Sequence, residues 1–155
     1  MSRTKKIVFI INPASGQHSR KPDEAVIRNF FSDKSVEIEI FHSTQRGHAS
    51  ELTNIAIRQK AATVVAIGGD GTVNEVAKEL NGTNVSLGII PCGSGNGLAR
   101  HHKIPFNIQR SLQVILNNNI VNHDSVKINE YLSFNVSGIG FDAHISHLFG
   151  KDGKR

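Results

Sequence analysis

The sequence predicts an α/β fold, a central and mostly parallel sheet with helices on both faces. Three observations predict it. Short apolar runs alternate with helical patterns of roughly 10–15 residues, the rhythm of strand–helix–strand units. The inner runs Ile7 to Ile11 and Val64 to Ile67 are apolar at every position, as in strands buried on both faces. Two of the runs end in glycine-rich turns that lead directly into helical patterns.

In chain order, Lys6 to Ile11 is the first central strand, ending in the turn cluster Asn12-Pro13-Ala14-Ser15-Gly16. His18 to Lys21 reads as a solvated loop. From Pro22, which suits a first-turn position, Val26, Ile27, Phe30 and Phe31 share one helix face. Val36, Ile38 and Ile40 alternate with Glu37 and Glu39, the pattern of a half-buried strand near a sheet edge. After Phe41 and His42, a helix capped at Ser43 or Thr44 carries Leu52, Ile55 and Ala56 to about Lys60.

The segment Val64 to Leu80 is the centre of the argument. A buried strand breaks into Gly68-Gly69-Asp70-Gly71, then Val73, Val76, Ala77 and Leu80 mark a helix face. Thr72 and Glu75 have capping-box spacing, so the helix is expected to start at Thr72. Backbone N–H groups at such a helix start suit phosphate, and glycines let it approach closely. A carboxylate there repels phosphate unless a cation or an acceptor hydroxyl intervenes. Asp70 therefore either meets magnesium or takes a proton, or it only bonds local N–H groups.

Val85 to Ile90 is a further strand, running into Pro91-Cys92-Gly93-Ser94-Gly95-Asn96-Gly97-Leu98-Ala99-Arg100. Leu98 stands where the dinucleotide fingerprint needs its third glycine, and there is no Gly-Lys-Ser/Thr of a Walker A loop. Two glycine turns at the carboxyl ends of neighbouring parallel strands still converge on one crevice. Arg100 reads equally as a phosphate contact or a solvated helix residue. Ile108, Ser111, Leu112 and Ile115 mark a helix capped by Asn107. Ile120 to Ile128 reads as a strand containing Asp124, Glu130 as a hairpin turn, and Tyr131 to Val136 as a second alternating strand.

Composition narrows the function. The 155 residues suffice for a domain with a core; 38% are hydrophobic and 20% charged, as in ordinary globular proteins. The net charge is +5, but aromatics are only 6% and no basic cluster interleaves with them, which disfavours nucleic acid. No apolar run reaches the roughly 18 residues that span a membrane, and the run after the basic start is too short for a signal peptide. A cytoplasmic protein is expected. Cys92 is the single cysteine, which fits a reducing compartment, and it reads as a small residue beside a turn. His48 has no second ligand at helical spacing, so it is a poor metal ligand.

Four motifs together resemble the diacylglycerol kinase catalytic domain family, which includes bacterial lipid kinases and sphingosine and ceramide kinases. They are Asn12-Pro13-Ala14-Ser15-Gly16; Thr44 with Gly47-His48-Ala49; Gly68-Gly69-Asp70-Gly71-Thr72 with Asn74-Glu75; and Pro91-x-Gly93-Ser94-Gly95-Asn96-x-Leu98-Ala99. A weaker likeness continues through Ser137 to Ala143. The Gly-Gly-Asp-Gly core is also shared with NAD kinases and, loosely, phosphofructokinases. The resemblance implies a nucleotide-binding domain of the NAD-kinase and phosphofructokinase type over 1–120. It implies that 121–155 opens a β-rich lipid-binding domain that continues in family members. The implied function is ATP-dependent phosphorylation of a lipid hydroxyl, diacylglycerol or sphingoid, by an enzyme peripheral to the membrane.

In that reading Asp70 is catalytic, and Asn12, Pro13, Ser15, Gly16, Thr44, Gly68, Gly69, Gly71, Thr72, Glu75, Ser94, Gly95 and Asn96 bind nucleotide. Asp124 matches the acidic residue that supports a magnesium network, directly or through water. Many bacterial members carry an aspartate after the asparagine; here it is Gly97, and no metal role is carried to it. The chain is expected to be the N-terminal part of a longer enzyme and inactive alone. It is also expected either to self-associate through 121–145 or to leave that stretch disordered. The alternatives are an NAD-kinase-like enzyme and a non-catalytic nucleotide-binding regulatory module.

Overall fold

The computed structural model describes residues 5–16, 22–134 and 143. It divides into two compact units, Met1–Asn122 and His123–Arg155. The first is an α/β layer structure. Its strands are β1 (Lys5–Ile11), β2 (Val36–His42), β3 (Thr63–Gly68) and β4 (Ser86–Pro91). They pair in the order β2-β1-β3-β4, every pair parallel. The helices are α1 (Glu24–Phe31), α2 (His48–Arg58), α3 (Asp70–Leu80), α4 (Gly97–His101) and α5 (Ile108–Asn117).

The two-residue period of the strands explains why the inner runs are wholly apolar. Val8, Ile10, Val64 and Ala66 pack with Leu52, Val76 and Leu98 from α2, α3 and α4. Ile7, Phe9, Ile11, Val65 and Ile67 pack with Ile27, Phe31 and Leu112 from α1 and α5. One sheet thus buries both faces. Phe9 and Phe31 meet with ring centroids 5.7 Å apart. Gly88 leaves room for Val65, whose Cγ2 lies 2.9 Å from where a Cβ would stand. β2 is an edge strand, as its alternation predicts. Its Glu37 and Glu39 carboxylates lie 3.3 and 2.8 Å from the Lys6 ammonium. The Glu39 hydrogen bond, first among the causes, holds the Lys6 pKa above its ordinary value.

Several element boundaries differ from the sequence reading. α3 starts at Asp70 with Gly69 as N-cap, not at Thr72, because Thr72 spends its hydroxyl on a residue from another loop. α2 is capped by Gly47 at φ 86°, not by Ser43 or Thr44. α1 starts at Glu24, with Asp23 accepting from the Ala25 N–H, so Pro22 lies outside it. Asn107 caps α5 as expected, accepting from the Arg110 N–H.

The second unit has a two-stranded antiparallel sheet of β5 (Val126–Ile128) and β6 (Tyr131–Ser133). Asn129, at φ 52°, and Glu130 make the turn. β5 is shorter than the strand read from Ile120, and Asp124 precedes it, exposed. The sixth strand stops at Ser133; residues 135–136 and the motif of 137–142 lie outside the described residues.

Candidate functional site

Three loops leave the carboxyl ends of β1, β3 and β4 and are tied to one another. The sheet pairing runs past the strand ends, with the Asn12 N–H donating to Ile67 O at 3.0 Å and the Cys92 N–H to Gly68 O at 2.9 Å. The Asn12 side chain works twice. Its Oδ1 accepts from the Ala14 N–H at 2.9 Å, folding the first loop as an Asx turn. Its Nδ2 donates to Thr72 Oγ1 at 2.9 Å, joining that loop to α3. Gly16, at φ +65°, lies so near the third loop that a Cβ there would overlap the Cys92 carbonyl.

Asp70 joins the second loop to the third. Its Oδ2 accepts from the Asn96 N–H at 2.8 Å and its Oδ1 from the Gly97 N–H at 2.7 Å. These bonds reach across the whole of α3 and β4 in sequence, so they are not local turn bonds. Both are charge-assisted, the stronger class of hydrogen bond. Close approach makes them feasible: a Cβ on Gly95 would stand 2.6 Å from Asp70 Oδ2, and one on Gly93 2.5 Å from Gly69 Cα. Asn96, buried at φ 54°, closes the third loop on itself. Its Oδ1 accepts from the Gly93 N–H at 2.9 Å and its Nδ2 donates to Gly93 O at 2.6 Å. From outside, Arg100 Nε donates to Gly95 O at 2.9 Å.

The framework presents backbone donors. Gly69 caps α3 with no side-chain bond. The N–H groups of Asp70, Gly71 and Thr72 then have no intrahelical acceptor, at the positive end of the helix dipole. Gly71 is exposed, with nothing within 4 Å of its would-be Cβ, while Ser94 and Gly95 are exposed on the third loop. Of the expected nucleotide residues, Asn12, Ser15, Gly16, Gly68, Gly69, Gly71, Thr72, Gly95 and Asn96 are thus joined in one framework. Pro13 and Ser94 are exposed on its first and third loops. Ser15 Oγ donates to Asn12 O at 2.9 Å. Asn96 serves by folding its own loop.

Thr44 and Glu75 belong to the neighbouring β2–α2 junction. His48 Nδ1 accepts from the Thr44 N–H at 3.1 Å, so the Thr44 hydroxyl, 3.0 Å away, donates to it too. That leaves the hydroxyl oxygen's lone pairs for a ligand donor. Glu75 Oε1 accepts from the Gly47 N–H at 3.0 Å, and Ser50 Oγ donates to Glu75 O at 3.3 Å. Glu75 is therefore a strut between α3 and the start of α2, not half of a capping box. Asp124 belongs to the other unit. Sequence reading missed the close contact of Gly69 with Gly93 and the reach of Asp70 to the Gly97 N–H. Three glycines around Asn96 were the only trace of either.

The donor set fits a polyphosphate, which uses N–H groups at a helix start and backbone that approaches closely. Within the stretches that are tied together, 12–16, 68–72 and 92–97, Asp70 is the only carboxylate. Each of its oxygens gives one lone pair to an N–H and keeps another. That fits a magnesium ion held mainly by phosphate and water, with Asp70 receiving one of the waters.

Comparison with known proteins identifies the family. The family model described as "Diacylglycerol kinase catalytic domain" matches residues 6–128. A Klebsiella pneumoniae protein named "Probable lipid kinase YegS-like" is 30% identical over 149 residues, 94% of this chain and 49% of its own. A Citrobacter koseri protein of the same name is 34% identical over 119 residues, 74% of this chain and 40% of its own. The chain spans about half the length of the curated relatives it matches. A crystal structure of a diacylglycerol kinase from Bacillus anthracis superposes with a TM-score of 0.70 at 23% identity, covering 95% of this chain and 53% of that one, a likeness of fold. With its family model spanning every strand of the sheet and all three tied loops, the chain belongs to the diacylglycerol kinase catalytic domain family.

Proposed function

We propose that this chain is the nucleotide-binding part of an ATP-dependent lipid kinase that phosphorylates a diacylglycerol or sphingoid-type hydroxyl. The observation that carries the reading is the clasp between the glycine loops, with Asp70 holding the N–H groups of Asn96 and Gly97. The clasp sets two donor-rich loops side by side at the carboxyl ends of β3 and β4, where ligands of parallel sheets bind. Family membership and the names of the relatives support the lipid as acceptor.

In the reaction, the bond from the γ-phosphorus to the β,γ-bridging oxygen breaks and a bond to the lipid hydroxyl oxygen forms. ADP leaves with the bridging oxygen, and the hydroxyl proton goes to a carboxylate. Such transfer rests on positioning and charge neutralisation. The first-turn N–H groups of α3 and those of Ser94 and Gly95 hold phosphate oxygens, and Thr44 offers its hydroxyl to the nucleoside. Magnesium, when bound with the nucleotide, neutralises phosphate charge. Asp70 faces that water shell or the acceptor hydroxyl with its remaining lone pairs. Among the described residues no helix is long and apolar enough to cross a membrane, and we place the enzyme in the cytoplasm, meeting lipid at the membrane surface.

Calorimetric titration of the 155-residue chain with ATP, with and without magnesium, and with NAD tests the reading. Weak ATP binding strengthened by magnesium is expected. Tight NAD binding with no response to ATP would establish the NAD-kinase-like alternative instead.

A further inference from the structure

The β2–α2 junction fixes the polarity of one exposed hydroxyl. Ser43, just past β2, donates its N–H to Ile11 O at 2.9 Å, and β2 pairs parallel to β1. The junction therefore lies at the same carboxyl end of the sheet as the tied loops. Gly47 turns the chain into α2 at φ 86°, its N–H held by Glu75 of α3 at 3.0 Å. His48 is then the first residue of the helix, and its ring reaches back to Thr44, four residues earlier. Its Nδ1 lies 3.1 Å from the Thr44 nitrogen and 3.0 Å from the Thr44 hydroxyl oxygen. A backbone N–H only donates, so Nδ1 is bare and the ring carries its hydrogen on Nε2. Against a bare nitrogen the hydroxyl also donates. Exposed Thr44 has thus spent its one hydroxyl hydrogen, and its oxygen only accepts.

We infer that His48 is a positioning residue for nucleotide: by taking the Thr44 hydrogen it makes that hydroxyl an acceptor alone, which rejects phosphate oxygens and takes an N–H or O–H donor of the nucleoside. The inference rests on the kinase reading and deepens it, because it says which end of the nucleotide lies at this junction. A phosphate or carbonyl oxygen brings only lone pairs, and neither it nor the Thr44 oxygen would then gain a partner. The start of α3 has the reverse polarity, since its N–H groups only donate and suit phosphate. Along the carboxyl ends of the strands, donors therefore stand at β3 and an acceptor at β2. Adenosine has two kinds of group that fit the acceptor, the exocyclic amine of the base and the ribose hydroxyls.

ATP titrations of variants of the 155-residue chain test this. Thr44→Val should bind about 3- to 10-fold more weakly, the worth of one hydrogen bond. His48→Ala should lose affinity too, by no more than that. The His48→Ala/Thr44→Val double variant should match Thr44→Val, because the ring acts through the hydroxyl. His48→Asn sets its Oδ1 where Nδ1 stands, and should restore the parent's affinity. ITP, which has a carbonyl in place of the amine, and the 2′-deoxy and 3′-deoxy forms of ATP each lack one donor. The analogue that the parent and Thr44→Val bind equally names the group on Thr44. Nitrogen NMR of the ring in alkaline buffer, with His48 identified by its absence from His48→Asn, should show a pyridine-type Nδ1 and a pyrrole-type Nε2.

A further loss on adding His48→Ala to Thr44→Val would overturn the inference, because the ring would then act on its own or only hold the junction together. A Thr44→Val loss of equal size with every analogue would overturn it as well, since no nucleoside donor would then meet the hydroxyl. A hydrogen found on Nδ1 would overturn it without any ligand. Thermal melts separate lost binding from lost fold, and His48→Asn with Thr44→Val keep the test open where His48→Ala does not fold. A parent that ignores ATP fails the kinase reading, and the nucleotide role of His48 falls with it. A parent that binds ATP whether or not His48 is present loses the inference alone.

Discussion

At the scale of single residues, Gly93 at the loops' contact and Gly71 in the open first turn of α3 have opposite roles, and alanine separates them. A Cβ on Gly93 would stand 2.5 Å from Gly69 Cα and 3.0 Å from Asn96 Oδ1, so the loops must part to admit it. Gly93→Ala is expected to destabilise by about 1–3 kcal/mol, the usual cost of overpacking. Gly71 meets nothing within 4 Å and lies in the first turn of α3. There Gly71→Ala should hold or raise stability, by up to about 1 kcal/mol, because alanine restricts the unfolded chain. If phosphate rests on that turn, the same methyl blocks its approach and ATP binding falls. Thermal melts and ATP titrations on both variants check the pair. Unchanged ATP affinity in Gly71→Ala would move the phosphate elsewhere. Asp70→Asn answers a different question. Its amide offers one acceptor oxygen where two N–H groups now bond, so a cost of about 1–3 kcal/mol in stability is expected. In a full-length enzyme the loss of a proton acceptor or water ligand adds a fall in kcat of about 100- to 10,000-fold. A variant that melts early yet keeps its turnover would leave Asp70 as a clasp alone.

At the scale of elements, β2 is held to β1 by backbone pairing and by the Lys6 ammonium between Glu37 and Glu39. The Lys6 pKa is raised in the folded chain, chiefly by the Glu39 hydrogen bond, against the opposing pull of burial. A raised basic pKa stabilises fully below the unfolded value and loses that contribution as pH climbs through the folded one. The stability gap between the parent and Lys6→Met should therefore be flat through neutral pH, about 0.5–1 kcal/mol, and shrink only above about 10.5. Denaturant melts across that range test it, and a gap already closing near neutrality would overturn it. The elements also show what sequence carries. Strands β1 and β3 were legible because their doubly buried stretches, Ile7 to Ile11 and Val64 to Ile67, hold no polar residue to mislead. The edge position of β2 was legible from its alternating glutamates. The start of α3 was not, because Thr72 and Glu75 have capping-box spacing yet bond to Asn12 and Gly47. A side chain's choice between a local and a distant partner leaves no mark in spacing. The glycine motifs marked two strand-to-helix turns, but the clasp from Asp70 to Asn96 and Gly97 exists only once β3 and β4 are neighbours.

At the scale of the whole molecule, the two units differ in how much holds them. The first has a four-stranded sheet with apolar helices on both faces. Among the described residues, the second has two three-residue strands. Val126 is 57% exposed, Ile128 47% and Tyr131 79%. A lone two-stranded hairpin is marginal in water, and an exposed apolar strand pairs with whatever edge it meets. Amide exchange in the 155-residue chain should therefore divide sharply. The N–H groups of Thr63–Gly68 should exchange only on global unfolding, and those of Tyr131–Ser133 far sooner, unless a second copy covers them. Light scattering separates those two fates. Where the chain associates, removing residues 123–155 should restore a monomer. In either case the shortened chain should keep its melting temperature, because both core clusters lie wholly within residues 7–116. A monomer whose Tyr131–Ser133 amides are protected as fully as those of β3 would overturn this. The hairpin would then draw its stability from within the chain itself, and the second unit would be a folded partner of the first.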